Sequence, residues 1–301
     1  MHDPDCLRRF VFEQFPIRGH LVHLDASWLA LLEHRQYPTE VRDTLGEALA
    51  ASVLLAATVK FDGVLSLQMQ GDGPLYLMLA QCSHSLGVRG VARHRDGIST
   101  RNIGELAGNG NLTVTLENED SQQRYQGIVP LSGARLADCL QVYFENSEQL
   151  PTRLWLHADD RGAYGMLLQR LPRSGGHRGM DAPDETAVDD TWRRVQLIGD
   201  TLTPEELRSL QDAEILRRLF NEDDVRVFEP APVFFRCRCS RERVSGMLRA
   251  LGEAENRSVI AEQGKVEVRC DFCNRAYLFD AIDIEQLFKS DVAGDGSASV
   301  H

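Results

Sequence analysis

Four of the chain's seven cysteines stand in two close pairs: Cys237 and Cys239 in "FRCRCSRERV", and Cys270 and Cys273 in "EVRCDFCNRAYLFD". Zinc sites are built from such pairs, because a short spacing lets both sulfurs face one ion at about 2.3 Å and two pairs complete the tetrahedron. CDFC has the spacing of a zinc knuckle. The rarer CxC pair runs into Ser240, a helix N-cap candidate, and a helix start favours negative sulfur. The pattern predicts one zinc per chain, held by all four side chains.

Competing thiol chemistries fit less well. A thioredoxin-like dithiol needs CxxC at the start of a helix after a strand. Here CDFC is followed by "NRAYLFD", a strand pattern, and the CxC pair would be left without a role. A disulfide oxidoreductase using Cys270 and Cys273 is therefore the alternative reading. A nucleic-acid zinc ribbon would normally add a basic face, whereas residues 231 to 301 hold ten Lys and Arg against eleven Asp and Glu.

The elements that must position these thiols are modest. Ser240 caps "RERVSGMLRAL", which ends at Gly252, and "KVEVRC" and "AYLFD" read as strands on either side of the CDFC turn. A piece of roughly 60 residues with so few apolar side chains is marginal without a staple. Metal binding is worth about 10 to 16 kcal/mol in small zinc modules, against a whole-domain stability of about 5 to 15. Metal also holds the sulfurs as thiolates, the form oxidants attack. Oxidation that expels the ion should therefore unfold this module.

Upstream, "GVLSLQMQGDGPLYLMLA" alternates apolar and polar residues across a turn and reads as a hairpin; "GNGNLTVTLEN" and "QRYQGIVPL" repeat the pattern. "PTEVRDTLGEALAASVLLAATVK" and "GARLADCLQVYFENSEQ" read as helices. The fold class is α+β, an antiparallel or mixed sheet packed with helices. The predicted boundaries are an N-terminal domain at 1–175, an acidic helical linker at 176–230, a zinc-binding redox-switch domain at 231–290 and a flexible tail at 291–301. The linker opens on "RSGGHRGMDAPDETAVDD", the composition of a mobile connector. It continues into "TLTPEELRSLQDAEILRRLF", one amphipathic helix with a capping box at Thr203 and Glu206 and a stripe of Leu207, Leu210, Leu216 and Leu219. Residues 181 to 230 carry fourteen Asp and Glu against six Arg, a net of −8 out of the chain's −12. Self-repulsion makes the folded linker easy to destabilise.

That net charge argues against phosphate backbones and anionic membranes as partners. The start "MHDPDCLRRFVFEQF" lacks a secretory pattern, and the apolar run at 49–59 is far shorter than the roughly 20 residues needed to cross a bilayer. The expectation is a cytoplasmic protein, where clustered cysteines point to metal or redox chemistry.

"FRCRCSRERV" with "CDFCNRAYLFD" resembles the heat-shock protein 33 family of redox-regulated holdase chaperones. So do "YFENSEQLPTRLW", "GMLLQRLP", "VKFDGVLSLQMQGDGPLYLM" and "RGVAR", from "RRFVFEQFPIRG" to "YLFDAIDIEQL". The resemblance implies that Cys237, Cys239, Cys270 and Cys273 bind zinc when reduced and form Cys237–Cys239 and Cys270–Cys273 disulfides when oxidised. It also implies that zinc loss unfolds the C-terminal module, destabilises the linker and uncovers apolar surface for unfolded client proteins. A homodimeric oxidised form, no need for ATP and release of clients to ATP-dependent foldase chaperones complete the implied cycle. A Cys237–Cys239 bridge would close a small, strained ring, the kind most easily reduced.

Other residues read as structural. Cys139 lies at helical spacing among Leu136, Leu140 and Tyr143 and is expected in the core; Cys6 and Cys82 have no activating neighbours in sequence. "GDG" at 71–73 and "GNG" at 108–110 lack the Lys and Ser or Thr of a P-loop and read as hairpin turns. His157 and His177 lack ligand spacing, and "ENSEQ" at 145–149 reads as a helix end.

Overall fold

The apolar run at 49–59 lies largely in α2 (Thr39–Ala56), which follows the short α1 (Ala26–Leu32). Val41, Leu45, Leu49, Val53 and Leu54 are buried, and from Ala48 to Ala56 every residue is, so the second half of the helix is covered on all sides and must be enclosed. Two six-stranded sheets enclose it. The computed structural model describes residues 5–33, 35–118, 124–131, 133–172 and 184–292. The chain forms two units, Met1–Arg236 and Cys237–His301.

In the first unit, one sheet contains β1 (Cys6–Phe12), β2 (Ile17–Leu24), β8 (Thr152–Ala158), β9 (Ala163–Arg170), β10 (Val225–Val227) and β11 (Ala231–Pro232). Its order is β10-β1-β2-β9-β8, with β11 also paired to β1, and every pairing is antiparallel. The other sheet runs β12-β5-β4-β3-β6-β7, from β3 (Gly63–Gln70), β4 (Leu75–Ser83), β5 (Gly87–His94), β6 (Asn111–Asn118), β7 (Arg124–Val129) and β12 (Phe234–Phe235). The expected hairpin is β3–β4 with "GDG" as its turn, whereas "GNG" is not a hairpin turn: Gly108, at φ 63°, closes the helix Ile103–Ala107 and the segment leads from it into β6. α3 (Ile103–Ala107) precedes β6, and α4 (Leu136–Tyr143) carries Cys139 into the core before a π turn at Phe144–Glu148. Thus "ENSEQ" is a helix end, closed by Gln149 in the left-handed region.

The outer face of the first sheet is covered by α5 (Glu185–Gly199), α6 (Pro204–Ser209) and α7 (Asp212–Phe220). Phe10, Phe12, Ile17 and Leu21 from the sheet meet Trp192, Val195, Ile215 and Phe220 from the helices, forming a core separate from the one around α2. The connector differs from its sequence reading in two ways. The segment at 173–183 lies outside the described residues, but "ETAVDD" opens α5 instead of continuing a connector, because Asp184 caps the helix and Val188, Trp192 and Val195 give it a buried stripe. The single amphipathic helix is in fact α6 and α7, broken where Leu210 and Gln211 are extended. Each half begins with its own capping contact, from Thr203 to Glu206 and from Gln211 to Glu214.

The break aims the start of α7 at the sheet. Asp212 receives Arg8 Nε at 2.6 Å and His23 Nδ1 at 2.9 Å, while His23 Nε2 lies 2.7 Å from the Leu207 carbonyl at the end of α6. Burial pushes the Asp212 carboxyl up, but His23 and Arg8 outweigh it and hold the group below its ordinary range. The clasp fixes the linker in register on β1 and β2.

The second unit contains α8 (Arg241–Leu251), α9 (Glu253–Gln263), β13 (Val266–Arg269), β14 (Ala276–Phe279) and α10 (Ala281–Val292). Its core is small: Val244, Leu248, Val266, Tyr277, Phe279, Ile284 and Leu287, with Cys239 and Cys270 against it.

Candidate metal centre

Cys270 and Cys273 sit in the turn between β13 and β14. Cys270 N–H donates to the Arg275 carbonyl at 3.0 Å and Asn274 N–H donates to the Cys270 carbonyl at 2.8 Å. Asn274 has φ of 54°, a conformation asparagine tolerates, and this folds the knuckle tightly enough to turn both sulfurs inward. Cys237 and Cys239 come from the segment before α8, whose cap Ser240 accepts from Arg243 N–H at 3.3 Å. The expected cap and both expected strands are present.

The four sulfurs lie within 4.8 Å of one another. The closest approaches are Cys237 to Cys270 at 3.5 Å and Cys239 to Cys273 at 3.4 Å. An ideal zinc tetrathiolate has sulfur separations of about 3.8 Å, the edge of a tetrahedron with bonds of about 2.3 Å. The cluster thus has the donor type, number and spacing of a structural metal site, and each thiol is partly buried. A soft sulfur set of this kind suits zinc, Cu(I) or iron.

A partner that sequence reasoning missed is Tyr277, whose hydroxyl donates to Cys239 Sγ at 3.1 Å while its ring packs in the unit's core. A tyrosine in a strand carries no sequence mark of such a role. Burial pushes the Cys237 and Cys273 thiols up. At Cys239 burial acts the same way but is outweighed by Tyr277 and the other three thiols, which bring it down to about 7. A bound cation would favour the thiolate form at all four cysteines.

CDFC begins no helix: the chain passes directly into β14, so the geometry of a thioredoxin-type dithiol is absent at this position. Cys6, Cys82 and Cys139 are buried elsewhere, and burial alone pushes Cys82 up to about 12. His157 stacks on Tyr164 and reaches Asp159 at 4.0 Å, and it joins no metal-ligating group among the described residues; His177 lies outside them. No helix among the described residues is long and apolar enough to cross a membrane.

A profile of the family described as Hsp33 protein matches residues 5–280. The chain belongs to the Hsp33 family. It is 47% identical to a 33 kDa chaperonin of Nitrosococcus oceani over 301 residues, and 44% identical to one of Methylobacillus flagellatus over 302, with complete coverage of both chains in each case. Its fold is similar to the crystal structure of the Hsp33 homologue of Thermotoga maritima, with a TM-score of 0.79 at 23% identity over 96% of this chain and 99% of that one. The mixed helix and sheet architecture is that of an Hsp33, and its cysteine cluster is placed to hold a metal ion.

Proposed function

We propose that this Hsp33-family chain is a cytoplasmic, ATP-independent holdase, switched on when oxidation of Cys237, Cys239, Cys270 and Cys273 releases a zinc ion. The observation that carries this reading is the convergence of four thiols within 4.8 Å on a unit whose own apolar core is a handful of side chains. Such a core is too small to outlast the loss of an ion binding at about 10 to 16 kcal/mol.

The disulfide pairing decides the outcome. Cross bridges, Cys237 to Cys270 and Cys239 to Cys273, would staple the start of α8 to the β13–β14 turn and replace the metal as a clip. Bridges within the pairs, Cys237–Cys239 and Cys270–Cys273, close loops too short to constrain the unfolded unit. The switch uses the within-pair bridges, and the module then comes apart.

Linker release follows, and α5, α6 and α7 uncover the outer sheet face around Phe10, Phe12, Ile17 and Leu21. That apolar surface suits unfolded client proteins and a second copy of the open chain. Homodimerisation of the oxidised form and client hand-over to ATP-dependent foldases after reduction complete the cycle.

The test pairs zinc and aggregation measurements before and after peroxide. One zinc per reduced chain, its release with loss of four thiols, and a gain in suppression of client aggregation support the reading. Oxidised, zinc-free protein that suppresses aggregation no better than the reduced form overturns it.

A further inference from the structure

His20 is 1% exposed, and neither of its ring nitrogens has a hydrogen-bond partner among the described residues. Buried polar groups are nearly always paired, so an imidazole left this way needs an explanation in the chemistry around it. It lies on the face of β2 that also carries Val22 and Leu24, the side turned to α2 and away from the linker helices. In the β1–β2 register it stands opposite Arg9, and Arg18 is two residues along on the same face.

Those two guanidiniums have no counterion. Arg18 Nε donates to Gln169 Oε1 and Arg18 Nη2 to the Thr58 carbonyl, each at 3.0 Å, and both acceptors are neutral. Arg9 lies over the Phe228 ring at 4.1 Å. Neither arginine forms an ion pair among the described residues, whereas the nearby Arg226, opposite Val11, has Glu13 at 2.8 Å. Burial, then Arg18 and Arg9, hold the His20 ring down to about 3, so at neutral pH it is uncharged and carries one N–H. Arg9 is exposed and Arg18 half-buried, so the cluster is open to solvent on the arginine side and closed at the imidazole.

A water molecule would satisfy the ring but leave both charges unopposed. A carboxylate would offset one of them. A phosphate group offsets both and presents several acceptor oxygens, enough for two guanidinium forks and the imidazole N–H.

We propose that Arg9, Arg18 and His20 form a binding site for a phosphate dianion, either inorganic phosphate or the terminal group of a small phosphomonoester. The chain's net charge of −12 repels long phosphate polymers, but a small anion meets a local excess of cations here. Bound there, the anion ties β1 to β2 beside the end of α2, whose Thr58 carbonyl Arg18 already holds. Neither the cysteine cluster nor linker release enters this site.

The experiment titrates the full-length, zinc-loaded, reduced protein with inorganic phosphate and with glycerol 3-phosphate, and follows the histidine rings by NMR. Both ligands should shift the His20 ring signals saturably at millimolar concentrations or below. The signals of His84, exposed beside Asp62, should stay in place. Acetate should bind at least about tenfold more weakly, because it offsets a single charge. Arg9→Gln, at an exposed position, should weaken phosphate binding roughly 10- to 100-fold. His20→Leu removes the unpaired ring at similar volume. It should raise the melting temperature in phosphate-free buffer and abolish the further rise that phosphate gives the parent. If His20→Leu does not fold, Arg9→Gln still decides.

Tighter binding of glycerol 3-phosphate identifies a phosphomonoester as the ligand, and tighter binding of inorganic phosphate identifies the free ion. The proposal is overturned by His20 signals that respond to neither, by acetate binding as tightly as phosphate, or by an Arg9→Gln affinity equal to the parent's.

Discussion

Replacing Ile215 by alanine isolates the docking of the linker from its folding. Ile215 has no exposed surface and packs into the core between α7 and the first sheet. Removing its side chain costs about 2 to 5 kcal/mol in transfer and cavity terms. Alanine is the better helix former by about 0.4 kcal/mol, so α7 itself is not weakened and the net loss of docking is about 1.6 to 4.6 kcal/mol. At 1.4 kcal/mol per factor of ten, the undocked fraction rises about 10- to 2,000-fold. Hydrogen exchange on the reduced, zinc-loaded protein reads this directly. Amides of α5, α6 and α7 should exchange faster by that factor while those of α2, in the other core, hold their protection. Leu197→Ala, at a position 63% exposed on α5, should change neither set. The same Ile215→Ala protein should suppress client aggregation in the reduced state better than the parent. If protection falls equally in α2 and α7, or in neither, the linker is not a separable cover and the reasoning fails.

Cys273→Ser should abolish stoichiometric zinc and, with it, the dispersed NMR signals of residues 237–292, leaving α2 amides protected. Tyr277→Phe keeps the ring in the core but removes the hydroxyl from Cys239 Sγ. It should weaken zinc binding by about 10- to 100-fold in competition with a chromogenic chelator, leaving the apo unit's helicity unchanged. Peptide mapping of the peroxide-treated protein should find Cys237–Cys239 and Cys270–Cys273 bridges, and predominant cross bridges would remove the basis for module unfolding. Burial pushes the Glu47 carboxyl up to about 7 against the pull of Arg101, 2.7 Å away, and Arg135. A carboxyl raised on folding contributes stability that is complete below its unfolded value of about 4.3 and is lost as pH rises through about 7. The melting temperature of the first unit should fall across that window, and Glu47→Gln should flatten the fall.

The chemistry was legible because it is local. A knuckle, a helix cap and two short strands each lie within a few residues of Cys237, Cys239, Cys270 or Cys273, and spacing alone predicts them. The β3–β4 hairpin and α2 were legible for the same reason, through period and turn residues. What the sequence did not disclose depends on partners far along the chain. Nothing around Arg8 or His23 announces Asp212, some 200 positions away. The break at Leu210 and Gln211 was also hidden. The leucine stripe satisfies one long helix, and the break becomes preferred once the sheet rewards Leu207 and Ile215 for facing it from two directions. That α2 lies between two sheets, instead of on one, is likewise a property of the assembled strands.

The first sheet has a consequence for how far damage can travel. Its two faces carry two cores that share no buried side chain, one around α2 and one under the linker helices. The backbone ladder of β1, β2 and β9 is the partition between them. Melting of the cover therefore stops at that ladder, because the strands keep their hydrogen bonds and their inner packing when the outer helices go. With the outer helices gone, the sheet would still rest on the core around α2. Repair then amounts to re-laying helices on an intact template, a search over local contacts rather than a refolding of the whole chain.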